Sequence, residues 1–334
     1  AVAVFAHLVL GLPWAESFLI GSVISSTDAA SVFNILRSKK LALKYHTDCL
    51  LEIESGSNDP ISYMLTTVAV GIMGGQDVFI PLLLVQQIAI GALGGLLLGK
   101  LAIWSLRRGM FPSEQSQTIF VFAVVILSYA LPTVLGGNGY LSSYLCGIYM
   151  GSTKLPQKRN LVHFFDVVTD VAQVLIFFLL GLLVTPVELP SVLLPALAIM
   201  VFLTFLARPA VVSVLMLPFR PSLAQVGVVS WAGLRGVASI VFAIMAGLQG
   251  AETRYNLFNL VFCIVLLSIS LQGSLLPRVS AKLSMIDHTA DVSKTFNDYQ
   301  EESDIDFIKI HLDKNHPWNG KTLRELPLPS DLLV

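Results

Sequence analysis

The chemistry of this sequence is concentrated in ten residues, Leu51-Glu-Ile-Glu-Ser-Gly-Ser-Asn-Asp-Pro60, which open an apolar run from Ile61 to Gly75. A carboxylate inside a membrane span costs on the order of 2.5 to 3.5 kcal/mol on insertion scales, so Asp59 should face a partner or a wet cavity and not lipid. Ser55, Asn58 and Asp59 fall at i, i+3 and i+4, which sets Ser55 and Asp59 on one face of a helix. A single carboxylate among hydroxyl and carbonyl oxygens is a hard-oxygen set suited to a small cation. A proton and a cation compete for such an acid, and that competition is exchange transport in its simplest form. The plainer alternative is that Asp59 is a buried cap or ion-pair residue. Glu52 and Glu54 fit a solvated cytoplasmic vestibule at the helix start better than a direct role.

Other charges also fall inside apolar runs. Ser25-Ser-Thr-Asp-Ala29 places hydroxyls and a short carboxylate mid-span, where they compete with helical hydrogen bonding. Trp231-Ala-Gly-Leu-Arg-Gly236 places two glycines and an arginine mid-span, the composition of a helix that unwinds. Half-helix termini exposed at such breaks carry partial charges, positive at N-termini and negative at C-termini. Asp28 could neutralise the first pair and Arg235 the second; alternatively the two pair with each other or with water. Arg208, beside Pro209 in an apolar span, is available to Asn58 or to a nearby acid.

The elements that must position these residues are membrane helices. The chain has 334 residues, 54% hydrophobic and only 13% charged, against about 25% charged in a soluble domain. Apolar runs near 1–12, 17–36, 48–74, 79–105, 117–135, 139–152, 167–185, 191–218, 223–248 and 256–277 give ten spans. The first is short, and 139–152 is short enough to be tilted or partly re-entrant. Arg37, Lys39, Lys40, Lys44, Arg107, Arg108, Lys154, Lys158, Arg159, Arg220, Arg278 and Lys282 all fall in alternate loops, while the intervening loops hold only Arg254. The basic set is therefore expected on the cytoplasmic side. The spans 17–36 and 223–248 run oppositely, as interrupted helices do in inverted-repeat transporters.

Net charge of -1 and dispersed basic residues give no nucleic-acid footprint, and no cofactor is expected. Cys49, Cys146 and Cys263 lack any CxxC spacing and read as small core residues. Residues 284–305 read as an acidic linker. Residues 306–334, with the alternating run Asp306 to Leu312, read as the start of a small α/β cytoplasmic domain.

Ser26-Thr-Asp-Ala-Ala30, Glu54-Ser-Gly-Ser-Asn-Asp-Pro60, Ala207-Arg-Pro209 and Gly233-Leu-Arg-Gly236, in that order, resemble the cation/proton antiporter family of the NhaP type. The branch most similar is the potassium/proton antiporters called cell volume regulation protein A, and Pro317 to Leu326 resembles the opening of their TrkA-C (RCK-type) domain. The resemblance implies an all-α inverted-repeat antiporter in a bacterial inner membrane, with thirteen helices, a core domain moving against a dimerising interface domain, and no prosthetic group. It implies that Asp59 binds the cation or the proton, helped by Ser55 and the backbone at Thr27. Asn58 and Arg208 would support the site, and Asp28 and Arg235 would compensate the broken helices. An Asn before the Asp implies one cation for one proton, with potassium favoured and sodium possible. Ten spans against thirteen imply about three further N-terminal helices and an incomplete regulatory domain.

Two other classes have weaker signals. A cation channel would need a carbonyl-filter sequence such as Thr-Val-Gly-Tyr-Gly, which this chain lacks. An intramembrane aspartyl protease could use Asp28 and Asp59, but its Gly-x-Gly-Asp and Tyr-Asp contexts are absent.

Overall fold

A computed structural model describes residues 1–39, 41–75, 79–155 and 157–287. These residues belong to one compact unit built almost entirely of helices. In chain order they are α1 (Val2–Leu10), α2 (Trp14–Val23), α3 (Ala29–Ser38), α4 (Thr47–Met73), α5 (Ile80–Arg107), α6 (Glu114–Val134), α7 (Gly139–Gly151), α8 (Lys158–Leu183), α9 (Leu189–Phe202), α10 (Arg208–Met216), α11 (Leu223–Trp231), α12 (Val237–Leu248), α13 (Leu257–Leu267) and α14 (Ser274–Lys282).

Several of these join into one passage. A π-helical turn, Leu203–Ala207, links α9 to α10, and another, Ser268–Gly273, links α13 to α14. The pairs α2/α3 and α11/α12 are each one apolar run split mid-way, at 24–28 and at 232–236. The described helices therefore make ten passages, matching the ten expected runs, and both expected interruptions are present. Five passages are long and apolar enough to cross a membrane as unbroken helices, namely Ile80–Arg107, Glu114–Val134, Lys158–Leu183, Leu189–Phe219 and Leu257–Lys282. The rest are short, interrupted or, in α4, interspersed with acids.

Local chemistry sets the helix ends. Ser113 and Ser116 form a reciprocal capping box at the start of α6, while Asn138, Ser222 and Asn256 cap α7, α11 and α13 through their side chains. Gly11 ends α1 in the left-handed region at φ 65°, a conformation free of side-chain penalty only for glycine.

The main core gathers buried faces of α1, α2, α4, α9, α12 and α13, with Leu19, Ile20, Ile199, Ile240, Phe242 and Ile264 almost fully enclosed. A separate cluster joins α5, α6 and α7 through Ala102, Ile103, Val121, Val124, Cys146 and Met150. The outer faces of α5, α6 and α8 stay apolar and uncovered, with Leu93, Leu97, Ile126, Val174 and Phe178 among them. Apolar surface of that extent suits lipid and not water, and the protein is a multi-pass membrane protein.

A short antiparallel pair, β1 (Ala42–Leu43) with β2 (Ile286–Asp287), ties the end of the last passage to the loop after α3, with Leu43 opposite Ile286. The linker expected to start at 284 is thus still packed on the membrane unit at 287, because Lys44 N donates to Met285 O at 2.9 Å and Lys44 Nζ to Ser284 O. Its remainder, and the expected regulatory segment 306–334, lie outside the described residues.

Candidate functional site

The first break leaves the backbone from Ser25 O to Ala29 N without helical partners, Ser25 N still donating to Ser22 O. In a membrane each unsatisfied group would cost several kcal/mol, so each must find another partner. α4 supplies three of them. Asn58 Oδ1 accepts from Thr27 N at 3.2 Å, and its Nδ2 donates to Thr27 Oγ1 at 2.5 Å. Ser55 Oγ donates to Thr27 O at 2.7 Å and accepts from Ala29 N at 3.1 Å. The two side chains face the break because three residues nearly complete a helical turn.

Arg235 Nη1 donates to Ser25 O at 3.0 Å and Ser26 O at 2.8 Å, so a buried guanidinium sits at the carbonyls trailing α2. Asp28 accepts from Ser31 N at 3.1 Å and from Ser31 Oγ at 2.5 Å, capping α3. The Asp28 carboxylate also packs against Gly236, the N-cap of α12, where a Cβ would overlap it. One acid therefore stands at two helix N-termini, and one base at the C-terminal carbonyls of α2. Asp28 N donates to Leu234 O at 2.9 Å, which stitches the two breaks together. Asp28 and Arg235 do not hydrogen-bond each other: each has separate partners.

Asp59 lies one residue beyond Asn58 and accepts from Ser26 Oγ at 2.5 Å. That is the carboxylate's one hydrogen bond among the described residues, and no basic side chain pairs with it there. Asp59 opens instead onto a cavity of about 300 Å³ shared with Thr27, Asp28, Ser55, Thr169 and Gln173. Pro60 follows, and Asn138 Nδ2 donates to Pro60 O at 2.8 Å, anchoring the start of α7 to the residue after the acid.

Arg208 sits after the π-helical turn on α10, a distortion frequent at functional sites. It does not reach Asn58. Nη1 and Nη2 donate to the two oxygens of Glu54 at 2.8 and 2.9 Å, and Nε and Nη2 donate to Val229 O at 3.2 and 3.1 Å. Glu54, expected as a vestibule acid, is thus also the nearby acid that Arg208 takes. The arginine, 8% exposed, requires a fork-shaped partner on α4 once buried, and Glu54 is the acid on its side. Gly233 permits this, since a Cβ there would overlap the Arg208 guanidinium. Glu54, Asn58, Arg208 and Arg235 also line a second cavity of about 520 Å³. Glu52 lines neither cavity.

The structure thus brings Thr27, Ser55 and Asp59 to one cavity with Asn58 behind them. Sequence reasoning missed Ser26, Asn138, Thr169 and Gln173. Ser26 was legible as a neighbour of Thr27, whereas the others come from helices distant in sequence and carried no local signal. Asp28 and Asp59 are each held by a separate serine.

Two interrupted helices meeting beside an acid that opens onto a cavity define the discontinuous-helix class of secondary transporters. The sequence matches the sodium/hydrogen exchanger, transmembrane family over residues 1–282, and the chain belongs to that family. It is 37% identical over 276 residues to the K(+)/H(+) antiporter NhaP of Alkalimonas amylolytica, covering 80% of this chain and 47% of that protein. It is 33% identical over 337 residues to the K(+)/H(+) antiporter NhaP2 of Shewanella sp. (strain ANA-3), covering 98% and 58%. The chain thus spans about half the length of the curated relatives it matches. The sodium proton antiporter MjNhaP1 from Methanocaldococcus jannaschii shares the fold, with a TM-score of 0.73 at 24% identity over 84% of this chain and 75% of that one.

Proposed function

We propose that this chain carries the exchange machinery of an antiporter that swaps a monovalent cation for a proton on Asp59. The observation that carries the reading is an acid bonded to one hydroxyl, paired with no base among the described residues, and open to a cavity. Such a carboxylate holds a proton or a cation in turn, and Ser55 and Thr27 stand beside it as oxygen donors. Asn58 holds the break in place as a neutral amide, so each cycle moves one cation against one proton. Asp28 and Arg235 compensate the half-helix dipoles, and Arg208 with Glu54 fixes α4 against α10.

Potassium is the favoured cation, by similarity to the NhaP and NhaP2 relatives, and sodium is the runner-up. The protein resides in a bacterial inner membrane as a homodimer surrounded by lipid, with its basic loops and C-terminal segment in the cytoplasm and with no prosthetic group. The match that covers 98% of this chain must include part of 306–334, and that tail, from its own sequence pattern, reads as the start of a regulatory domain.

The test is reconstitution of the complete protein in proteoliposomes with an interior pH dye. Potassium or sodium pulses should drive proton movement that saturates with cation. Stepwise single-channel currents in planar bilayers would instead support a channel and contradict exchange.

A further inference from the structure

The apolar span α8 carries three polar side chains between Val167 and Leu183, namely Thr169, Asp170 and Gln173, within little more than one turn. Such residues in a span ordinarily face a cavity or a partner. Two of them, Thr169 and Gln173, line the cavity into which Asp59 opens, together with Ala172 and Ile176 from the same face. At 100° per residue, positions 169, 172, 173 and 176 form one narrow stripe, and Asp170 lies on its flank.

The orientation of the Gln173 amide follows from its partner. Ser31 Oγ donates its proton to Asp28 at 2.5 Å, so toward Gln173 it can act only as an acceptor. Gln173 Nε2 accordingly donates to Ser31 Oγ at 3.3 Å. That fixes the nitrogen toward α3 and leaves the carbonyl oxygen as the uncommitted end of a side chain on the cavity wall. The Thr169 hydroxyl is likewise without a hydrogen bond among the described residues, although a helical threonine can bond the carbonyl a turn earlier. The cavity that Asp59 lines thus also has on its lining side chains two neutral oxygens that no group among the described residues uses.

A cavity of about 300 Å³ holds on the order of ten waters at roughly 30 Å³ each, so a cation there keeps part of its hydration shell. The oxygens on the walls replace some of those waters, and their number and kind govern which ion is held. We propose that Thr169 and Gln173 are the far wall of the cation site, supplying neutral oxygens that set affinity and the preference between potassium and sodium. This rests on the exchange reading of Asp59 and adds a second helix to the site.

The test uses the complete protein in proteoliposomes, with proton movement followed by an interior pH dye during potassium or sodium pulses. Gln173→Leu should raise the half-saturating potassium concentration about fivefold, the effect of one lost hydrogen-bonding oxygen. It should also change the ratio of half-saturating potassium to sodium, with the maximal rate nearly preserved. The near-isosteric Thr169→Val should shift the same ratio and carries the test alone if the first variant fails to reach the membrane. A role confined to packing against Ser31 would leave the ion ratio unmoved. Unchanged half-saturation and ratio in the variants that fold, with Asp59→Ala inactive, would overturn the far-wall inference while sparing the exchange reading. An active Asp59→Ala would overturn both.

Discussion

Between Ile24 and Asp28 the first interrupted helix bonds most of its loose backbone groups to side chains, Asn58 and Ser55 of α4 and Arg235 of the second break, whereas between Ala232 and Gly236 the second uses backbone partners and one hydroxyl. Thr27 and Ala29 are bonded by Asn58 and Ser55. Leu234 O accepts from Asp28 N, and Arg235 N donates to Ser268 Oγ at 3.1 Å. The first break is thereby built into the wall around Asp59. The second is a scaffold: its glycines make room for the Asp28 carboxylate and the Arg208 guanidinium, and its arginine reaches back to the first. Equivalent interruptions thus divide the work, one shaping the ion site and the other holding the charges that keep both breaks in the membrane.

Arg208→Ala should have the largest effect on that division. It removes the fork that joins Glu54 to Val229, and breaking a buried ion pair costs about 3 to 5 kcal/mol. The low end applies here because Glu54 is 32% exposed. A thermal melt in detergent should show a large loss of stability, and an unchanged melt would mean that α4 is held otherwise.

Gly236→Ala is expected to cost about 1 to 3 kcal/mol by overpacking, since its Cβ would overlap Asp28. Gly247→Ala is the control, because a Cβ there meets nothing within 4 Å. Equal stability of the two variants would break the claim that the second interruption is shaped around the Asp28 carboxylate.

Asn58→Asp should leave the first break formed. A carboxylate can accept from both Thr27 N and Thr27 Oγ1, so the first break stays capped. The added charge should make exchange respond to membrane voltage, at roughly 2.3 kcal/mol per charge per 100 mV. Exchange rates at clamped potentials check this, and a voltage-independent variant would detach Asn58 from the transport stoichiometry.

Much of the fold was legible because membrane helices leave their signal in consecutive residues. Ser25 to Ala29 and Trp231 to Gly236 announced both interruptions by composition alone, and Ser55, Asn58 and Asp59 shared a helical face by spacing. The partner of Arg208 was harder. Glu54 and Asn58 are a turn apart, and only the course of α10 against α4 selects Glu54. Gln173 was harder still, because nothing in an apolar run tells which face meets an acid more than a hundred positions away. Sequence periodicity reveals what a helix buries, whereas the far wall of a cavity depends on packing between helices.

The most direct measurement is cation-dependent proton movement by the complete protein with Asp59→Ala, in proteoliposomes, beside the unaltered protein. Loss of coupled movement for both potassium and sodium, with an unchanged thermal melt, is the expected result. Saturable cation-driven proton movement that persists without the Asp59 carboxylate would contradict the assignment of both cargoes to that single acid.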